Sequence, residues 1–280
     1  MNKSNPTAQD LLDYLLSLAH VPGTKVDKII FGSPDNQIKK IGTCWISSLA
    51  NLKKAYDLGV NVLVTHEPTF YTHIEFDEHT HFSYARKENN YAKGENQYWE
   101  MIEKKKAWIL EHDMTVVRCH DVMDRVKGFS MSCSLGKILG YEEFDPNIDD
   151  LMYKVYIIKP DSAYNVTVNI AKKLAGYNLS GVQFYGDGDR IVQRIGIGTG
   201  CYCDPLIAME YSADYYLAIN DSISTWVQTA YSNDTGLPMG VIDHGVSEEA
   251  GMRALCDHLN ENNYPCVHID GGAEYQFITG

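Results

Sequence analysis

The sequence predicts an α/β fold, with two intertwined α/β domains built on mixed, mostly parallel sheets. Short β-branched runs alternate with amphipathic stretches of helical spacing along the whole chain. Residues 41–64 read strand, helix, strand, the βαβ unit that builds parallel sheets. The 280 residues are 44% hydrophobic and 22% charged, which excludes disordered, collagen-like and fibrous classes. At this length a folded chain buries roughly 75% of its unfolded surface, room for one large domain or two intertwined ones.

The elements follow in order. Asn5-Pro6 reads as a helix start, with Asn as cap and Pro at the first helical position. Leu11, Leu12, Leu15, Leu16 and Ala19 keep helical spacing until Pro22-Gly23 stops them. Residues 41–46 form a strand. Ser47 and Ser48 can cap the next helix, whose Leu49, Leu52, Ala55 and Tyr56 make one apolar stripe ended by Gly59. Residues 60–64 form another strand. The stretch 73–94, rich in Glu, His, Asn and Tyr and without a period, reads as a surface excursion of the kind that covers a site. A helix over 97–111, a strand over 115–119 and a short helix over 135–139 closed by Gly140 come next. Asp145-Pro146-Asn147 suits a boundary. Beyond it lie strand 155–158, helix 165–175, strand 191–197, helix 204–211, strand 215–219, strand 241–242, helix 247–259 and strand 267–269. No repeat of fixed period is visible.

Lys plus Arg number 24 and Asp plus Glu 37, a net charge of −13. That balance argues against a nucleic-acid-binding surface, which needs clustered cations. No run approaches the roughly 18 apolar residues of a membrane helix. The opening MNKSNPTAQD lacks the apolar core of a signal peptide. Seven scattered cysteines then read as free thiols in a reducing cytoplasm. Cys201-Tyr202-Cys203 is the one close pair, a weak metal signal alone. N-x-S/T matches, those at Asn165, Asn178 and Asn233 among them, read as chance.

The informative pattern lies at three strand ends. Val62-Leu63-Val64 runs into Thr65-His66-Glu67-Pro68. Val116-Val117-Arg118-Cys119 runs into His120-Asp121-Val122-Met123-Asp124. Val241-Ile242-Asp243 runs into His244-Gly245-Val246-Ser247-Glu248-Glu249. Ligands of open α/β sheets gather beyond the carboxyl ends of strands. If these three strands are parallel neighbours, His66, Glu67, Asp124, His244 and Glu248 can converge there. Imidazole and carboxylate together suit Zn, Mn or Fe. His244 and Glu248, four apart, share a face of one helical turn. Pro68 cannot continue a central strand and turns the chain out after Glu67. A lone strand-end histidine is ordinarily just a hydrogen-bonded neighbour, and one H-x-x-x-E match carries little specificity. Three such matches, each after a β-branched run, carry more.

At these residues the chain resembles the Nif-three-like dinuclear metal-centre hexamer family, some members of which are described as a GTP cyclohydrolase I type. The family's strand, ligand pair and proline are matched by 62–68. Its middle motif is matched by His120, Asp124, Gly128 and residues 135–140, and its last by His244 and Glu248. Its Gly-rich loop and following strand are matched by residues 195–200 and 213–216. The resemblance runs through nearly the whole chain in order. It implies two divalent metal ions (Zn, Mn or Fe) held by His66, Glu67, Asp124, His244 and Glu248, with Glu248 as bridge. His120 is implied as a weak ligand or proton carrier. Residues 1–150 and 241–280 would form one domain and 151–240 the other, with the metals in a cleft between them and the chains in a homohexameric ring. The implied chemistry is metal-assisted hydrolysis, with ions about 3.5–4 Å apart acting on a phosphate or ring carbon of a small molecule such as a nucleotide. The rival reading is a metal-binding scaffold or regulatory partner without turnover.

This chain departs from the family's usual His-His-Pro, carrying Glu67 at the second position. The usual Gly-His is here Asp243-His244-Gly245, and the 73–94 excursion is longer. Two divalent ions bring +4, Asp124 and Glu248 leave +2, and Glu67 leaves +1. A less positive centre acidifies its water less, and an added oxygen ligand favours Mn or Fe over Zn. Glu249 competes with Glu248, whose spacing from His244 is the better one.

Gly196-x-Gly198-x-Gly200 lacks the third glycine spacing of a dinucleotide fingerprint and reads as a tight turn, with nucleotide binding as a lesser reading. Neither GxxxxGK[ST] nor G-x-S-x-G is present, against a P-loop ATPase or a serine hydrolase. His79-Thr80-His81 reads as solvated or as an added metal contact. Lys104-Lys105-Lys106 reads as an exposed helix face. Tyr71, Tyr84 and Tyr91 are candidates to stack on a ring.

Overall fold

The computed structural model describes residues 5–71, 92–200, 202–271, 274, 275 and 278. His79, His81, Tyr84, Tyr91 and Cys201, with most of the expected 73–94 excursion, lie outside them. The chain divides into two compact units, Met1–Met123 with Leu255–Gly271, and Asp124–Ala254 with Gly272–Gly280. The sequence places boundaries near 150 and 240. The backbone contacts place them after Met123, Ala254 and Gly271.

The first unit holds a five-stranded sheet of β1 (Lys28–Phe31), β2 (Ile41–Ile46), β3 (Val62–Glu67), β4 (Thr115–Arg118) and β10 (Cys266–His268). Their order is β1-β4-β3-β2-β10. β10, β2, β3 and β4 run parallel, and β1 joins β4 antiparallel. Val62, Leu63 and Val64 are all buried, the continuous apolar run expected of a strand covered on both faces. Helices α1 (Ala8–Ser17), α2 (Leu49–Asp57) and α3 (Ala92–Glu111) belong here. Leu52, Leu63, Ile109, Val116 and Ile269 pack in one core cluster. Each fully buried Leu or Ile contributes about 1.5–3 kcal/mol.

The cap of α1 differs from expectation. Thr7, not Asn5, is the N-cap, in a reciprocal box with Asp10. The box satisfies two orphan N–H groups at once, which Asn5-Pro6 cannot do from two residues further out. Ser48 caps α2 as expected, and Gly59 follows it at a φ of 80°. β1 carried no turn or periodicity signal strong enough to be read from its four residues.

Just past β4 lies α4 (Asp121–Arg125), a one-turn helix not among the expected elements. α5 (Met131–Leu139) ends at Gly140, whose φ of 85° suits the left-handed helix cap.

The second unit is built on a mixed sheet. Its strands are β5 (Lys154–Ser162), β6 (Gln183–Tyr185), β7 (Ile191–Ile197), β8 (Tyr215–Ile219) and β9 (Met239–Ile242), in the order β5-β7-β8-β9-β6. β7, β8 and β9 are parallel, and β5 and β6 close the edges antiparallel. α6 (Ala163–Leu174), α7 (Pro205–Glu210) and α8 (Ala230–Thr235) accompany it. Ile195, Tyr215, Leu217, Val241 and Val246 share the core. α9 (His244–Glu261) starts three residues before the expected helix.

One expectation is corrected. β3 and β4 are parallel neighbours, but β9 belongs to the other sheet. A short β-branched run suits any parallel neighbour, so the run alone does not tell β8 from β4.

Candidate metal-ligating residues

In the first unit the parallel register pairs Thr65 with Arg118, and the Cys119 amide continues the ladder by donating to Thr65 O at 2.9 Å. This carries the next residue, His120, alongside His66. The two imidazoles stack, with centroids 4.3 Å apart and planes within 9°. His66 is wholly buried, and its Nδ1 lies 3.3 Å from the Cys119 carbonyl. A carbonyl only accepts, so Nδ1 carries the hydrogen and Nε2 keeps its lone pair, the tautomer a metal ligand needs. His120 repeats the pattern, its Nδ1 3.0 Å from Asp121 Oδ1. Each of the two rings offers a nitrogen within 4.8 Å of the other.

Two residues that the sequence reading missed hold this corner. Asp27 accepts the backbone N–H groups of His120, of Asp121 at 3.1 Å and of Val122 at 3.1 Å. Burial pushes its carboxyl above the usual range, against the pull of those donors. Arg118 is fully buried, donates Nε–H to His66 O at 3.0 Å, and sets its guanidinium 3.8 Å from Glu67 Oε2. The signals were a charged residue inside an apolar strand and an Asp beside Val26; neither has diagnostic spacing.

Asp124 follows His120 by one helical turn on α4 and is buried. Pro68 ends β3 at Glu67, as its missing N–H requires.

In the second unit Asp243 caps α9, its carboxylate accepting the Val246 amide at 3.1 Å and its carbonyl the Ser247 amide at 3.0 Å. Burial raises the Asp243 carboxyl. His244 thus opens the helix, where Nδ1 lies 2.8 Å from Asp221 Oδ2 and Nε2 lies 3.1 Å from Glu248 Oε2. The Gly200 amide donates to Glu248 Oε1 at 3.1 Å. Glu248 is 2% exposed and Glu249 5%, so burial does not separate them. The contact with His244 does favour Glu248. Asp221, which orients His244, was also missed, since it lies 23 residues upstream in sequence.

The glycine run is a turn only past Ile197: Gly196 lies in β7, and the Tyr202 amide closes the turn on the Thr199 carbonyl at 2.7 Å. A Cβ on Gly198 would fall 1.7 Å from the Tyr202 carbonyl oxygen. Asp204 caps α7 with Pro205 following it. The lysine run is corrected at its middle member. Lys105 is buried, donating to Ser47 O at 3.2 Å and Thr69 O at 2.7 Å, because those carbonyls after β2 and β3 need a donor. Tyr71 lies under Lys105 Nζ at 4.6 Å and against Tyr98.

The fold and these side chains define an α/β protein with candidate metal-ligating groups of His, Asp and Glu. The sequence profile of the Duf34/NIF3 (NGG1p interacting factor 3) family matches residues 21–271, and the chain belongs to that family. Solved structures share its fold. Staphylococcus aureus hypothetical protein SA1388 superposes with a TM-score of 0.73 at 15% identity, over 97% of this chain and 99% of that one. Reduced HcgD from Methanocaldococcus jannaschii gives 0.69 at 19%, over 95% and 99%. A Bacillus cereus protein related to NIF3 gives 0.71 at 12%, over 98% and 99%. No curated protein matches the chain. Among the described residues no helix is long and apolar enough to cross a membrane.

Proposed function

We propose that this chain is a dinuclear metal-binding protein acting as a metal-dependent hydrolase on a nucleotide or other phosphoester. The ligands are His66, Glu67, Asp124, His244 and Glu248, with Glu248 as bridge and His120 as proton carrier. The ions are two divalent cations drawn from Zn, Mn and Fe. The assembly is a homohexamer, a reading that rests on family membership, and the seven scattered cysteines suit a cytoplasmic setting.

One observation carries the metal reading. Three imidazoles, those of His66, His120 and His244, each set Nδ1 against an oxygen acceptor and turn Nε2 outward from that bond. Orienting hydrogen bonds of this kind fix the ligating tautomer and raise the basicity of the other ring nitrogen. Bound divalent ions supply Lewis acidity toward a phosphate or ring carbon. The chain's own part is to hold them and to move a proton at His120 Nε2, since imidazole titrates near neutral pH.

Elemental analysis of the purified chain, with turnover assays on GTP and a phosphodiester panel, tests this. Two ions per chain, with turnover lost on chelation and in His120→Ala, support it. Less than one ion per chain sinks the metal centre. Two ions without turnover of any substrate leave the non-catalytic scaffold instead.

A further inference from the structure

A cavity of about 660 Å³ lies in the second unit, at the carboxyl ends of the parallel strands β8 and β9. Ligands of α/β sheets gather at such strand ends, and small-molecule sites measure roughly 300–1,000 Å³. Leu179, Val241 and Ile242 give the cavity apolar walls, and Tyr275 adds an aromatic ring. Gln183, Asn220 and Asp243 bring polar side chains. None of the five proposed metal ligands lines it. We propose that this cavity binds a neutral, flat heterocycle bearing N–H donors, the uncharged end of a nucleoside-sized ligand.

The charges of the lining decide the ligand class. Among the described residues that line the cavity, Asp243 alone carries a charged side chain. An anionic ligand would lose water, meet a carboxylate, and find no Lys or Arg there in compensation. An organic cation gains little, because Asp243 caps α9 and the positive end of that helix already offsets its charge. A neutral donor remains. A carboxylate has roughly four lone-pair sites. Gly245, Val246 and Asn220 donate to Asp243, which leaves it about one site for a ring N–H or an exocyclic amino group. The apolar walls and the Tyr275 ring suit the faces of such a heterocycle.

Asn220 joins this cavity to the first turn of α9. Its Nδ2 donates to Asp243 Oδ2 at 3.4 Å, and its Oδ1 accepts the His244 amide at 3.1 Å. The heterocycle is thus the end of a substrate whose phosphate stays outside the cavity, a role that rests on the hydrolase reading given above. The binding itself does not rest on it.

The test titrates the full-length protein by calorimetry with guanosine and with purine riboside. Purine riboside keeps the flat ring and the sugar but has no N–H on its base. Guanosine should bind at a single site per chain. Purine riboside should bind about tenfold or more weakly, the loss expected for a hydrogen bond to a charged acceptor. Asp243→Asn keeps a capping side chain and removes the charge. It should weaken guanosine several-fold and narrow the gap to purine riboside. If circular dichroism shows that variant unfolded, the two nucleosides on the wild-type chain decide the matter. No binding of guanosine at its solubility limit would overturn the proposal. So would equal affinities for the two nucleosides, or a guanosine affinity unchanged in a folded Asp243→Asn. Turnover of a phosphoester without guanosine binding sinks the cavity and leaves the hydrolase standing. Guanosine binding without turnover does the reverse.

Discussion

The carboxylate of Glu67 stands between a guanidinium and an imidazole: Oε2 is 3.8 Å from the Arg118 guanidinium, and Oε1 is 3.9 Å from His120 Nε2. Arg118 cannot lose its proton, and a buried guanidinium demands an anion. The charge that Glu67 adds to the histidine corner is thus offset by Arg118, so counting Glu67 alone understates the charge near the ligands. Arg118→Met should lower the unfolding free energy by about 1.5–3 kcal/mol, the range for a hydrogen bond from a charged donor such as the one to His66 O. Urea denaturation reads this directly. A loss below about 0.5 kcal/mol would mean that Arg118 is not what fixes this corner.

His244 is oriented by Asp221, a residue with no role in the α9 helix itself. Asp221 is 61% exposed, so its removal costs little packing. Asp221→Ala is expected to weaken metal affinity by about 10–100-fold, the usual cost of losing a partner behind a ligating histidine, with stability nearly unchanged. Competition with a chelator of known affinity measures the first and thermal melting the second. An unchanged affinity would remove His244 from the ligand set.

Much of this was legible in sequence where a physical rule acts locally. β2, β7 and β8 fall on the expected residues because short runs dominated by β-branched and aromatic side chains are bounded there by turn residues. Gly140 and Gly59 marked helix ends because few other residues tolerate positive φ. Partner identity was not legible. β9 pairs with β8, Met239 opposite Tyr216, and its short apolar run by itself does not tell that neighbour from β4. Asp27, Arg118 and Asp221 act through hydrogen bonds to residues far away in sequence, which leave no periodic trace. The histidines at strand ends were found because strand ends are where a sheet presents ligands, whichever sheet it is.

Gly198 tests the turn reading against nucleotide binding. An added methyl at this position meets backbone, the Tyr202 carbonyl, and also lies 3.0 Å from the Tyr153 ring. Backbone cannot rotate away as a side chain would. Gly198→Ala should cost at least about 1–3 kcal/mol. Gly181→Ala, with nothing within 4 Å, should stay within about 0.5 kcal/mol of wild type. Equal stabilities for the two variants, by chemical denaturation, would show that the turn is not sterically closed.

Asp145 gives an acid-limb signature. The Asn147 amide and the Arg194 side chain, 2.9 Å away, hold its carboxyl below the usual range. Its folded pKa therefore lies under its unfolded one. Above the unfolded value, near pH 4, the carboxylate is charged in both states and its interactions contribute in full. As pH falls through the folded value the carboxylate protonates and that contribution disappears. The stability difference between wild type and Asp145→Asn should then be largest near neutrality and shrink toward nothing below the folded pKa. Arg194→Met should leave a smaller difference on the same acid limb, because the Asn147 amide still depresses the carboxyl. Denaturation midpoints taken from neutral pH down through the acid range measure both. A difference that stays constant with pH, or grows on acidification, would mean that Asp145 stabilises the fold through its shape and not its charge.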